Sequence, residues 1–308
     1  MSVLPTGEQF VLRCGDAEAT VVEVGGGLRT HRVGDREVLD GYGPEEMAEA
    51  ARGHVLAPWP NRLRDGVYTW DGEEHRTPVT EPERGTAIHG LVQFVPWRAV
   101  ERAADGVVLE HLLFPRPGYP FTLRLRVAYA LSADGLTVTT TATNEGTRAL
   151  PYGEGHHPYV LAGPRLDDCT LVAPGATRIE TDERALPTRA VPVEGTPYDL
   201  RAGRRIGDLV VDSCFADLGR GPDGRAEVRL LGPDGRGVAV WMDEHYGYLQ
   251  LFTGDVLPEP RRRRGLAVEP MTCPPDAFGS GEAVRRLEPG ESTTGTWGIR
   301  PLGGPARF

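Results

Sequence analysis

Asp-Gly pairs punctuate this chain at 65–66, 71–72, 105–106, 134–135, 223–224 and 234–235. Such pairs suit hairpin turns, because glycine accepts a positive φ without a Cβ clash. Between them lie short runs with a period of two. Leu123, Leu125, Val127, Tyr129 and Leu131 alternate with Thr122, Arg124, Arg126 and Ala128, the pattern of a half-buried strand. Leu136–Thr143, rich in β-branched residues, reads as its hairpin partner. Glu227–Leu231 and Val238–Met242 form a second hairpin, and Gly106–Phe114 and Tyr248–Phe252 read as further strands. One short helix is expected over Pro44–Arg52, with proline near its start and Gly53 at its end. Without repeated β–α alternation, a doubly wound or TIM-barrel fold is disfavoured. The expected fold is all-β, a large antiparallel β-sandwich forming one domain over residues 1–308.

Composition narrows the function. A net charge of −10 argues against nucleic acid or an anionic membrane surface as partner. No apolar run approaches the roughly 20 residues that span a bilayer, and the opening Met1–Glu8 lacks the regions of a signal peptide. A cytoplasmic location is expected. Cys14, Cys169, Cys214 and Cys273 are widely spaced, so free thiols are expected rather than a zinc site or disulfide framework. All 34 basic residues are arginines, which excludes Schiff-base lysine chemistry and a P-loop lysine.

Several polar residues stand apart from the turns. The stretch Tyr152-Gly153-Glu154-Gly155-His156-His157-Pro158-Tyr159 holds two of the eight histidines. Alone, it reads sooner as a turn with a hydrogen-bonded histidine than as a reactive site. Adjacent side chains on extended backbone face opposite ways, so His156 and His157 do not suit one metal ion, and no metal or cofactor is expected. Arg62, after Trp59-Pro60-Asn61, offers either a donor fork to a ligand or half of a surface ion pair. His89, before Gly90, suits a pocket wall or a core. In Leu266–Glu269 the strand period places Glu269 opposite Leu266 and Val268. Partial burial would raise its pKa and suit it to general-base work. Gln250 and Asp212 are candidates to bind hydroxyl groups.

Taken in order, these pieces resemble the aldose 1-epimerase (mutarotase) family. They are Asn61-Arg62 with Gly66 and Tyr68, His89-Gly90, His157-Pro158-Tyr159, Asp212 with Phe215, Leu249-Gln250 with Thr253-Gly254, and Val268-Glu269. The resemblance implies a β-supersandwich whose open cleft interconverts the anomers of a free aldose through ring opening. It implies Glu269 as general base on the anomeric hydroxyl and His157 as general acid on the ring oxygen. It places His89 beside that oxygen and Arg62, Asp212 and Gln250 on sugar hydroxyls; Asn61 is a further candidate for binding, and Trp59 offers a stacking face to the C–H groups of such a sugar. The implied partner is a small sugar bound to a monomer or homodimer. Two departures concern substrate choice: His156 stands where galactose-acting members often have Asn, and Val160-Leu161 replaces a common Phe-Asn. His156 is therefore expected to modify substrate binding. Arg261-Arg262-Arg263-Arg264 raises the alternative of a hexose 6-phosphate substrate, with a solvated arginine loop as the simpler reading. A sugar-binding module of the same fold without turnover is the other alternative.

Overall fold

The computed structural model describes residues 3–303. Met1 and Ser2 of the chain's opening, and residues 304–308 of the expected domain, lie outside them. The strand expectations hold closely. Leu123–Ser132 and Gly135–Asn144 pair antiparallel from Leu123↔Asn144 to Ser132↔Gly135. Their alternating burial matches the sequence period, each inward Leu or Val contributing about 1.5–3 kcal/mol of burial. The turn itself is Ala133-Asp134, and Gly135 opens the next strand. A Cβ on Gly135 would stand 2.2 Å from the Ile299 carbonyl oxygen, so glycine there serves close strand approach as much as turning. Asp71-Gly72 is a two-residue turn as expected, with both φ positive between paired Trp70 and Glu73.

Two large antiparallel sheets carry the fold. The nine-stranded sheet is centred on Gly106–Leu113, Leu123–Ser132, Gly135–Asn144, Ser292–Leu302 and Gly237–Met242. The eight-stranded sheet runs through Gly175–Thr181, Asp212–Leu218, Tyr248–Phe252, Leu266–Met271 and Gly155–His156. A smaller four-stranded sheet starts with Gln9–Cys14 and Ala17–Val22. Inward rows from both large sheets, such as Leu125, Val127 and Tyr129 with Leu249, Leu251, Leu266 and Val268, join one continuous apolar cluster. This is the layered packing of a β-sandwich. Among the described residues, helix is confined to the 3₁₀ turn Leu166–Asp168 and the short α-helix Ala277–Ser280.

The helix expected over Pro44–Arg52 does not form; the segment is a run of turns and bends. A helix of that length is marginal without tertiary support. Other bonds take its place: the Gly43 N–H donates to Glu46, Ala50 and Ala51 adopt left-handed backbone, and Arg52 turns inward onto Asp40.

Candidate active site

Strand register brings the candidate residues together. Asp212–Leu218, Tyr248–Phe252 and Leu266–Met271 are neighbours, with Cys214 opposite Gln250 and Gln250 opposite Glu269. The last strand also receives two short segments, Gly155 opposite Met271 and Tyr159 opposite Ala267. His157 and Pro158 lie between those segments, where regular pairing is interrupted. His157 thereby meets Glu269: its Nε2 lies 3.3 Å from Glu269 Oε1, and both side chains are buried.

A second corner is built by Arg62–Arg64 pairing with Thr86–Ile88. Asn61 and His89 flank that pair, both with left-handed backbone. The Asn61 N–H donates to His89 Nδ1 at 3.2 Å, and the His89 N–H returns a bond to the Asn61 carbonyl at 2.9 Å. Gly90 must follow, since a Cβ there would stand 2.1 Å from the Ala57 carbonyl oxygen. So held, the His89 ring meets the His157 ring edge to face at 5.4 Å.

These residues line a cleft of about 930 Å³ that includes Trp59, Asn61, Arg62, Asp212 and Gln250 together with His89, His157 and Glu269. Its size is within the roughly 300–1,000 Å³ usual for small-molecule sites. Gln250 donates from Nε2 to Asp212 Oδ1 at 2.7 Å. Gln250 Oε1, Glu269 Oε2 and Trp59 Nε1 are buried without a protein partner. Buried polar groups are ordinarily paired, so these three present hydrogen-bonding capacity to a polar ligand.

The environment separates the two reactive groups in a definite sense. Burial, reinforced by the negative charge of Asp212, pushes the Glu269 carboxyl well above its ordinary value, while Arg62 acts in the opposite direction. Burial and then the nearby Arg52 charge lower the His157 imidazole to about 3. His89 is held well below its ordinary value by burial and by His157. Burial also raises the Asp212 carboxyl, against the pull of Arg62. Both members of the His157–Glu269 pair are thus driven toward their uncharged forms.

Not every expected residue meets the cleft as anticipated. Arg62 lines it, but its fork is bidentate on Glu81 at 2.8 and 3.0 Å. Asn61 Oδ1 accepts the Arg62 backbone N–H at 2.8 Å. Trp59 forms wall more than exposed platform, 2% accessible and packed against Phe278. His156 is absent from the cleft. It points to the opposite side of its strand, where Nε2 meets Thr140 Oγ1 at 2.9 Å and the ring packs on Trp297. Opposite-facing neighbours place it there, so a role in binding the substrate does not follow. The arginine run is not a phosphate clamp at the cleft, and only Arg262 of the four is exposed as a solvated loop would have it. Arg261 is on Asp40, Arg263 on Asp167 and Asp255, and Arg264 on Glu37 and Asp40, and none of the four lines the cleft. Glu81 and Arg52 carry no motif that would mark them in the sequence, because each acquires its role only through a distant partner.

The comparisons agree with this architecture. The family model for Aldose 1-epimerase matches residues 8–300. The chain belongs to the aldose 1-epimerase family. It is 35% identical to the uncharacterized Escherichia coli K12 protein YihR over 93% of this chain and 91% of that one. It is 27% identical to the galactose mutarotase of Rattus norvegicus over 66% of this chain and 64% of that protein. In fold it is similar to a galactose 1-epimerase from Lactobacillus acidophilus NCFM, with a TM-score of 0.78 and 20% identity, covering 94% and 92% of the two chains. A GalM/aldose epimerase homologue from C. elegans gives a TM-score of 0.84 at 16% identity, covering 96% and 98%.

Proposed function

We propose that the protein is an isomerase that interconverts the α and β anomers of a free aldohexose. The observation that carries this reading is the 3.3 Å approach of His157 Nε2 to Glu269 Oε1 in the cleft. The anomeric hydroxyl and the ring oxygen are bonded to the same carbon, so a base and an acid this close suit both at once. Glu269 takes the proton of the anomeric hydroxyl as a C=O bond forms. The C1–O5 bond breaks, and O5 receives a proton from His157. Rotation about C1–C2 presents the other face of the aldehyde, and reversal of the two transfers closes the ring as the opposite anomer.

The proton balance is internal. The pair holds one proton throughout: it rests as carboxylic acid and imidazole, transfer of that proton across the 3.3 Å gap gives the productive carboxylate and imidazolium, and ring opening returns the pair to its neutral form. Burial disfavours both charged forms, so ring opening discharges a buried ion pair instead of creating one. An acid and a base contribute typically about 10²–10⁴-fold each, sufficient for a reaction that already proceeds slowly in water. His89 lies beside the acid, and Asp212, Gln250 and Arg62 supply contacts for the hydroxyl groups.

Polarimetry of freshly dissolved α-glucose and α-galactose tests the reading. The protein accelerates the decay of optical rotation, and Glu269→Gln and His157→Ala remove the acceleration. Acceleration with glucose 6-phosphate alone would contradict a free-sugar substrate. Sugar binding with no acceleration would contradict an enzyme.

A further inference from the structure

The ion pair between Asp40 and Arg52 has no part in the proton transfers described above, yet it is among the most enclosed in the fold. The side chains are 0% and 4% exposed, with Arg52 Nη1 2.7 Å from Asp40 Oδ2. A second Arg52 bond reaches the Asp40 carbonyl at 3.1 Å. Burying two charges is costly unless geometry and further hydrogen bonds compensate. Asp40 receives that compensation from Arg261 and Arg264, at 2.7 and 3.2 Å. The arginine run is therefore part of a strap that fixes this carboxylate.

The strap leads to the catalytic cleft. The Arg52 guanidinium lies over the ring of Tyr159, 3.9 Å from its centroid. The Tyr159 ring stacks with that of His157 at 5.0 Å and 18° between planes. Backbone bonds tie the same segments: the His157 N–H donates to the His54 carbonyl, and the Gly53 N–H to the His157 carbonyl. Tyr159 OH donates to the Ala50 carbonyl. Rings and backbone together leave the imidazole little freedom to turn away from Glu269.

We infer that Arg52 is a positioning residue that, through Tyr159, sets the orientation and acid strength of His157. This rests on His157 being the ring-oxygen acid. Its surroundings fix the sign of the effect. Glu269 faces His157 from its strand, His89 from the turn after Thr86–Ile88, and His54 and Arg52 from the turn before Val55. Arg62 and Asp212 act on Glu269 in turn. Of the groups facing His157 directly, Arg52 carries a fixed positive charge at neutral pH. A nearby cation weakens the hold of the imidazole on its proton, so removing the charge raises the cationic fraction of His157.

The test uses Arg52→Gln, which keeps donors for Asp40 while removing the charge, and Arg52→Lys, which keeps the charge. Asp40 retains Arg261 and Arg264 in both. Imidazole ¹⁵N spectra of the full chain, with His157 assigned by its loss in His157→Gln, are recorded at the lowest pH at which all the proteins remain folded. Arg52→Gln shows a larger cationic fraction of His157 than wild type, and Arg52→Lys does not. In polarimetry, Arg52→Gln lowers kcat about tenfold while KM holds, because the Tyr159 ring loses the guanidinium that fixes it and the His157 ring stacked on it is less firmly aimed at Glu269. An unchanged ¹⁵N spectrum, or an unchanged kcat, would overturn the inference. A wild-type protein without any acceleration would instead overturn the activity on which it rests, and the ¹⁵N comparison distinguishes the two failures.

Discussion

His156 and His157 are adjacent, equally buried and chemically identical, but they belong to two different environments. On the His156 side, Glu154 accepts hydrogen bonds from Tyr152 OH at 2.5 Å and Tyr246 OH at 2.9 Å, with His245 Nε2 3.5 Å away. His156 itself is satisfied by Thr140. Burial pushes the Glu154 carboxyl up, but His245, His156 and Tyr152 outweigh it and hold it below the usual range. On the His157 side, Glu269 Oε2 and Gln250 Oε1 are left without protein partners, and burial raises the Glu269 carboxyl unopposed except by Arg62. Two carboxylates on facing sides of one layer are therefore tuned in opposite directions. A closed network rigidifies a core, whereas an incomplete one in a cleft is available to a substrate.

The sharpest way to break this contrast is to exchange the two carboxylates' fates by mutation. Glu269→Gln leaves size and burial almost unchanged and removes the base, so kcat falls by about 10²–10⁴-fold while the folded protein persists. Polarimetry beside a thermal melt measures both. Glu154→Ala does the reverse: removing one member of a buried charged network costs about 3–5 kcal/mol of stability. Urea denaturation reads that loss, and turnover per folded molecule is little altered. A Glu154 variant that kept full stability but lost turnover would erase the distinction between the two sides.

Acid sharpens the comparison next. His31, His54 and His156 are lowered to about 4 by burial, and His157 to about 3. The unfolded chain binds protons at these sites near pH 6.5 and the native state does not. Stability is therefore full above about 6.5 and declines as pH falls toward 4, by about 1.4 kcal/mol per pH unit for each such histidine. Denaturation midpoints across that range show the slope, and His156→Gln reduces it. The smallest effect expected is that of Glu81→Gln. It loosens the fork on Arg62 and raises KM for the sugar by about tenfold or less, with kcat nearly intact, the scale of one charge-assisted hydrogen bond. Initial rates over a range of sugar concentrations separate the two constants.

The sequence carried much of this architecture, for local reasons. Period-two alternation and Asp-Gly turns specify strands and hairpins within ten or so residues, and the same period put Glu269 on the face away from Leu266 and Val268. The opposite facing of neighbours on a strand also separated His156 from His157, although the family pattern drew His156 toward the substrate. What escaped is non-local. Pro44–Arg52 has helical composition, but Asp40 captures Arg52 and the chain turns instead. Glu81, nineteen residues from Arg62, carries no motif of its own. Four consecutive arginines look solvated, yet the folded chain delivers Asp40, Asp167 and Asp255 to three of them, Arg261, Arg263 and Arg264.

Chemistry resides on one side of the His156–His157 step. Polarimetry of fresh α-glucose with His156→Gln and His157→Gln, each corrected for folded fraction, tests it most directly. His156→Gln keeps near-wild-type turnover, and His157→Gln loses at least about 10²-fold. Equal losses in both variants, or a greater loss for His156→Gln, would contradict it.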